Sequence, residues 1–315
     1  MKIETPFHEG EIAVQKRVGV GDKARRNAAV ITDEIVKGAL EFIGRQDMVV
    51  AGSMDPSGNL WASVLSAQAG FMKAETGRRI LFDLSKSIQH PHDRFWTNIE
   101  IHPRIGLLVI ELPTRRRLRI NGNLRKINAD TLELNVLETY PNCPKYIQRR
   151  VTRARQPRKT AASAVFEGEK LKAVQTALIE RADTFFVASA HPERGVDVSH
   201  RGGHPGFVQV LNEHTLRIPD YPGNSLFNTL GNFAVNPKAG LVFVDFEDGT
   251  TLQLSGQARI LWDEEDEKNE TGGTRRFWEM RIERVLEIQN AHPLSWEFLD
   301  YSPHNPKKKA DRFRS

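Results

Sequence analysis

The sequence predicts a mainly β protein with flanking helices, built as two related antiparallel barrel units in tandem. Three observations carry that expectation. The chain repeats itself: RLRINGNLRKI from Arg117 matches TLQLSGQARIL from Thr251, with Leu118 opposite Leu252, Ile120 opposite Leu254, Gly122 opposite Gly256 and Arg125 opposite Arg259, at a constant offset of 134 residues. That offset also sets His102, Pro103 and Gly106 opposite Asn236, Pro237 and Gly240. A repeat of such length is a duplicated unit that buries its own core, not a solenoid turn. Short runs of β-branched and long apolar residues recur between turn-forming residues in both halves. Finally, 315 residues with 39% hydrophobic and 27% charged content suit an ordinary globular chain of two domains.

In chain order, an irregular N-terminal arm is expected first. A helix follows, capped by Thr32 or Asp33, with Ile35, Val36, Ala39, Leu40 and Ile43 at helical spacing. Strands are expected from Met48 (MVVAGS), Leu60 (LWASVLSAQ), Arg78 (RRILFDLS), Ile105 (IGLLVIEL) and Arg117. Asp130 to Arg150 reads as helical at its start, with Leu132, Val136 and Leu137 on one face, until Pro141 and Pro144 interrupt it. These elements make up a first domain, 1–150. A basic stretch without apolar periodicity, 151–166, reads as a linker. The second domain, 167–315, repeats the order with a helix from about Glu167 to Arg181 and strands in TFFVAS, GVDVS, GFVQVL, TLRIP, AGLVFVDF and TLQLSGQARIL. Phe277 to Tyr301 continues as strand or extended chain, and a tail from Lys307 ends it. Closing such strands into barrels removes exposed edges.

A single cysteine, Cys143, rules out an internal disulfide and any cysteine-rich metal site. The N-terminus lacks the apolar core of a secretion signal, and no apolar run approaches the ~18 residues of a membrane helix. A cytoplasmic protein with no membrane partner is the expectation. The formal charge of +5 is concentrated in Arg115 to Arg119, Arg149 to Lys159 and Lys307 to Arg314. No helix-turn-helix, zinc-finger or RNA-binding motif accompanies that charge, so no nucleic-acid partner is expected.

Two loops of the second half carry chemistry: Ser199-His200-Arg201-Gly202-Gly203-His204-Pro205-Gly206 and Pro219-Asp220-Tyr221-Pro222-Gly223-Asn224-Ser225. Glycines let backbone N–H groups approach an anion, Ser and Asn add short donors, and an Arg grips phosphate with parallel hydrogen bonds. Hairpin turns use the same residues. The corresponding stretches of the first half, SVLSAQAGFMK and LFDLSKSIQHPHDRF, lack both the glycine pair and the PGN turn, which favours a feature kept in one copy only.

VDVSHRGGHPGFVQVL, LRIPDYPGNSLFNTLGNFAVNPKAGLVFVDF and TLQLSGQARIL, in that order, resemble the pyridoxamine 5'-phosphate oxidase-related FMN-binding proteins, over about 70 residues. NCPKYIQRR, from Asn142 to Arg150, resembles a segment that follows the barrel in the same broad family. The resemblance implies two tandem split β-barrels forming a pseudo-dimer, with FMN as cofactor. It implies that Ser199 and Arg201, with His200 and Gly202 beside them, hold the FMN phosphate. Pro219 and Asp220 would lie along the flavin, Asn224 and Ser225 would complete the phosphate loop, and Lys145 and Tyr146 would reach in from the first half. Single-barrel relatives often carry Arg where this chain has Leu226, which removes one phosphate ligand.

A flavin brings its own redox chemistry, and protein groups position and tune it. His200 and His204 are the candidates for proton transfer, set against loop histidines that only hydrogen-bond. Cys143 reads as a reactive thiol or as a small buried hydrophobe. His90, His92 and His102 lack a completing cysteine or carboxylate pair for a metal. Gly19-Val20-Gly21-Asp22-Lys23 lacks the ending of a phosphate loop. The five tryptophans read as core or seam, with Trp278 or Trp296 placed to stack on a flavin edge. The expected function is an FMN-dependent oxidoreductase acting on a small substrate, with NAD(P)H or a separate reductase as electron source and a homodimer as assembly. The alternative is a split-barrel protein that binds or stores flavin or haem without turnover.

Overall fold

A computed structural model describes residues 5–153 and 163–307. Two helices, α1 (Glu9–Val18) and α2 (Gly21–Asn27), precede the first half, where the sequence reading expects an irregular arm. The first half then runs α3 (Lys37–Gly44), β1 (Met48–Met54), β2 (Leu60–Ser66), β3 (Met72–Thr76), β4 (Arg79–Asp83), α4 (Arg94–Asn98), β5 (Arg104–Glu111), β6 (Arg116–Asn128), β7 (Thr131–Pro141) and β8 (Arg149–Thr152). The second half runs β9 (Val165–Gly168), α5 (Ala173–Arg181), β10 (Thr184–His191), β11 (Gly195–Gly202), β12 (Gln209–Asn212), β13 (Thr215–Pro219), α6 (Asn228–Val235), β14 (Lys238–Val244), β15 (Thr251–Leu261), β16 (Phe277–Ile288) and β17 (Trp296–Asp300).

The two large sheets have one plan. The first is ordered β2-β1-β5-β6-β7-β4-β3 and the second β11-β10-β14-β15-β16-β13-β12, all antiparallel, with β9 added on β16. The register repeats as well: Ala51 pairs with Ser63 and Leu107 in the first half, and Val187 pairs with Ser199 and Leu241 in the second. The longest hairpins shift register at Asn121/Gly122 and at Ser255/Gly256, so the glycines that anchor the sequence repeat mark equivalent β-bulges. Tertiary hydrogen bonds repeat too. Asn98 donates to Ser53 Oγ as Asn232 donates to Ser189 Oγ, each at 2.9 Å.

Each sheet wraps its own core, around Phe82, Phe95 and Ile120 in the first half and around Phe185, Phe243 and Trp278 in the second. A third cluster joins them: Val50, Leu60, Val64 and Leu108 pack against Phe186, Ala188, Val198 and Val242. The seam is tight at two equivalent glycines. A Cβ on Gly106 would lie 2.7 Å from Val196 O, and one on Gly240 would lie 2.5 Å from Leu60 O, so a side chain at either would push the halves apart.

Four sequence expectations need correction. Asp130 to Arg150 does not begin as a helix: Thr131–Pro141 is β7. Leu132 and Val136 fit helical spacing, but Leu132, Leu134 and Val136 also alternate, and pairing with both β6 and β4 settles the matter. The helix expected at Thr32 starts at Lys37, without a side-chain cap. The helix expected from Glu167 starts at Ala173, because Val165–Gly168 joins the sheet. The ends of the expected linker are structured, since β8 pairs with β17 and β9 with β16, while 154–162 lie outside the described residues, as does the tail from 308 onward. Among the described residues, no helix is long and apolar enough to cross a membrane.

Candidate functional site

A cleft of about 880 Å³, counting its open mouth, lies between the two halves. It brings together all ten residues expected to hold a cofactor: Ser199, His200, Arg201, Gly202, Pro219, Asp220, Asn224 and Ser225 from the second half, and Lys145 and Tyr146 from the first. His204 is not brought in. Its ring packs edge-on against Tyr301, 4.8 Å away.

The glycine loop is placed by the segment that follows β7. Gln148, fully buried, donates to the carbonyls of Gly203 and Tyr146 at 3.1 Å each. A Cβ on Gly202 would lie 2.1 Å from Tyr146 O, so this glycine admits the neighbouring chain closely. Tyr146 takes a left-handed backbone (φ 69°), donates its hydroxyl to Pro222 O at 2.8 Å and packs its ring 4.9 Å from that of Tyr221. Burial, then the Asp220 charge, pushes the Tyr146 phenol up to about 12. Asp220 is buried and paired with Arg276 at 3.0 Å.

The PGN turn leads into α6. Asn224 donates to Asn142 Oδ1 across the halves at 3.3 Å, and its own side-chain oxygen accepts from Leu226 N at 3.1 Å. Ser225 and Phe227 both hold left-handed backbones (φ 67° and 66°), a strain that a loop keeps when its surroundings fix it. Here α1 and α2 fix it, through Gln15 to Leu226 O at 3.0 Å and Asn27 to Asn224 O at 2.7 Å. Leu226 faces those helices, buried with Phe7, Ala24 and Tyr140, so the position where relatives often carry Arg points away from the cleft. Phe227 stands at the N-cap of α6 and offers no side-chain hydrogen bond, while Asn228, Thr229 and Leu230 line the cleft. The first turn of α6 is therefore open at its positive end.

Sequence reasoning missed two arginines on β6. Arg119 is buried; it donates to Tyr140 and to Ser199 Oγ, and pairs with Asp197 at 3.2 Å. Burial disfavours its charge, but Asp197 and Tyr140 outweigh burial and raise its pKa. Ser199 Oγ is also 2.9 Å from Thr229 Oγ1. Arg117 donates twice to Cys143 O, at 3.0 and 2.7 Å, and burial, then Arg119 and Arg201, bring its pKa down to about 9. The signal was present in the repeat: Arg117 and Arg119 stand opposite the neutral Thr251 and Gln253.

Charge in the cleft is unbalanced. Among the described residues, Arg117, Lys145 and Arg201 take part in no ion pair, and Arg201 makes one hydrogen bond, to His200 O at 3.3 Å. Burial, then nearby Arg119, lowers the Arg201 pKa against the pull of Asp220. Arg119 Nε and Arg201 Nε are buried without a hydrogen-bond partner. Half-buried cations without an ion-pair partner and an open helix end fit an anionic ligand group. His200 is buried, neither ring nitrogen has a hydrogen-bond partner, and burial followed by the Arg117, Arg201 and Arg150 charges holds it far below the usual imidazole range, hence neutral. Cys143 is half-buried on the cleft wall. Trp278 is core and Trp296 packs on Phe246; neither lines the cleft. Of the other arginines in the basic clusters, Arg115 and Arg149 share Asp300, Arg150 pairs with Asp183 and Arg153 with Glu297, and Arg116 lies over the Phe42 ring.

Comparison with known proteins agrees with this picture in the second half. Residues 171–289 match the family described as pyridoxamine 5'-phosphate oxidase. No curated protein matches the chain. Among solved structures, the chain is similar to a HupZ variant of Group A Streptococcus, at 16% identity over 37% of this chain and 98% of that one, with a TM-score of 0.31. A putative pyridoxamine 5'-phosphate oxidase from Lactobacillus delbrueckii shares 18% identity over 38% and 94%, with a TM-score of 0.31. The haem storage protein HutZ from Vibrio cholerae shares 14% over 38% and 95%, with a TM-score of 0.28.

Proposed function

We propose that the cleft binds FMN, one molecule per chain, and that the protein is a flavin-dependent oxidoreductase acting on a small substrate. The observation that carries the reading is the surplus of unpaired cations beside the open end of α6 in a cleft shared by both halves. Ser199, Thr229, Asn224 and Ser225 with Arg119 and Arg201 would hold the phosphate, and Pro219, Asp220 and Tyr146 would flank the ring system. Bound flavin supplies hydride and electron transfer; the protein holds it, orients it and shields it from water. His200 is ill-suited to carry a proton at neutral pH, because its charged form is disfavoured by burial and three arginines.

The neutral, buried state of His200 favours a second reading, a cofactor-binding protein without turnover, for flavin or haem. Anaerobic addition of NAD(P)H to FMN-loaded protein separates the two. Bleaching of the flavin absorption at a rate above that of free FMN supports the enzyme; an unchanged spectrum supports the carrier. A haem Soret band in purified protein would instead name a different ligand. The electron donor would be a pyridine nucleotide or a separate reductase, and the chain is proposed to act in the cytoplasm, as a homodimer.

A further inference from the structure

The repeated register gives the strand residues of the cleft counterparts in the other half. Ser199 corresponds to Ser63, His200 to Val64 and Arg201 to Leu65, while Arg117 and Arg119 on β6 correspond to Thr251 and Gln253 on β15. The equivalent hydrogen bonds of Asn98 and Asn232 put α4 and α6 in phase, so Asp93 stands where Phe227 does. Arg117, Arg119 and Arg201 have neutral counterparts at this twin position and a carboxylate has entered it, next to Arg94, whose guanidinium is paired with Glu167. Asp93 is 6% exposed and accepts from Ser63 Oγ at 2.6 Å, from Phe95 N at 2.9 Å and, across the halves, from Gln253 Nε2 at 3.2 Å. Gln253 also donates to Ala62 O at 2.8 Å. Thr251 Oγ1 and Gln253 Oε1, both buried, have no hydrogen-bond partner among the described residues. These orphans are residues of a polar site that the surrounding core does not use.

We propose that Asp93 is a built-in substitute for the anionic group of a ligand. Its carboxylate occupies, in the first half, the place an external anion takes in the second, so the twin site is closed to ligand and serves to fasten the halves through Ser63 and Gln253. The proposal rests on the anion-cleft reading for the identity of the group imitated, but its test is read in the half to which no flavin is assigned. Removing the carboxylate leaves a hole of carboxylate size lined by Ser63 Oγ, Gln253 Nε2 and Phe95 N, and formate is the probe that fits it.

The experiment compares full-length wild type with Asp93→Ala by thermal melting over a series of sodium formate concentrations, with sodium chloride as the ionic-strength control. The expected result is a lower Tm for Asp93→Ala that climbs with the logarithm of formate concentration more steeply than wild type, as a newly opened site requires. Equal dependence on formate in the two proteins overturns the proposal. If Asp93→Ala is recovered unfolded, refolding yield with and without formate replaces the melt: a yield that formate raises for the variant alone supports it, and an indifferent yield overturns it. Flavin stoichiometry on wild type is the independent arm. Two flavins per chain overturn the closed twin, whereas a chain that takes up no flavin but shows the formate effect loses the flavin reading and keeps this one.

Discussion

Arg201→Ala separates binding from folding more cleanly than any other change in the cleft. Its guanidinium makes one hydrogen bond, to His200 O at 3.3 Å, and no ion pair among the described residues. Burial disfavours its charge, and the pull of Asp220 does not overcome burial and Arg119 together. Its removal therefore costs the ligand-free fold little, because relief of the burial penalty offsets the lost packing and the lost attraction to Asp220. In the proposed complex, the same side chain would face the FMN phosphate. Hydrogen bonds between charged groups contribute ~1.5–3 kcal/mol each. Loss of one, or of a bidentate pair partly replaced by Arg119 and α6, predicts about 2 to 4 kcal/mol, hence roughly 30- to 1,000-fold weaker binding. Titration of FMN into apo-protein by flavin fluorescence gives the Kd, and a melt of the same apo-protein gives the stability. Unchanged affinity would remove Arg201 from the site. A Tm far below wild type, together with weaker binding, would make the residue structural and refute the reasoning from its missing partners.

Two further outcomes follow from the same geometry. Leu226→Arg places a charge among Phe7, Ala24 and Tyr140 instead of adding a phosphate ligand; it should destabilise the chain by about 3 to 5 kcal/mol, as an uncompensated buried charge does, and tighter FMN binding would contradict the orientation. His292→Gln should flatten the acid limb of stability. His292 is buried against Ser66 Oγ at 2.9 Å, and burial, then His90, lowers its pKa from 6.5 to about 4. Such a group adds stability above pH 6.5 that is lost as pH falls towards 4, about 3 kcal/mol in all. Urea unfolding at pH 7 and pH 4.5 checks this, and equal losses in wild type and variant would count against it.

Much of the architecture was legible because the repeat constrains it. The repeat aligns Gly122 with Gly256 and Gly106 with Gly240, and the structure shows why: the first pair sits at equivalent bulges and the second where the halves meet. β7 was misread because Leu132, Val136 and Leu137 satisfy a helical period locally; only pairing with β6 and β4 decides between the periods. The second-half loops announced themselves through glycine, asparagine and arginine. Arg117 and Arg119 did not, since alternating arginines on a strand read as a solvated face until a second half covers them. The fold of α1 and α2 over the loop at Asn224 depends on contacts with residues about 200 positions away, which no local pattern encodes.

The most direct test of the central claim is a spectroscopic titration of apo-protein with FMN. The account predicts saturation at one flavin per chain, with the flavin spectrum perturbed by the cleft and the affinity reduced in Arg201→Ala. Protein that stays colourless in the presence of FMN, or that saturates at two per chain, would contradict it.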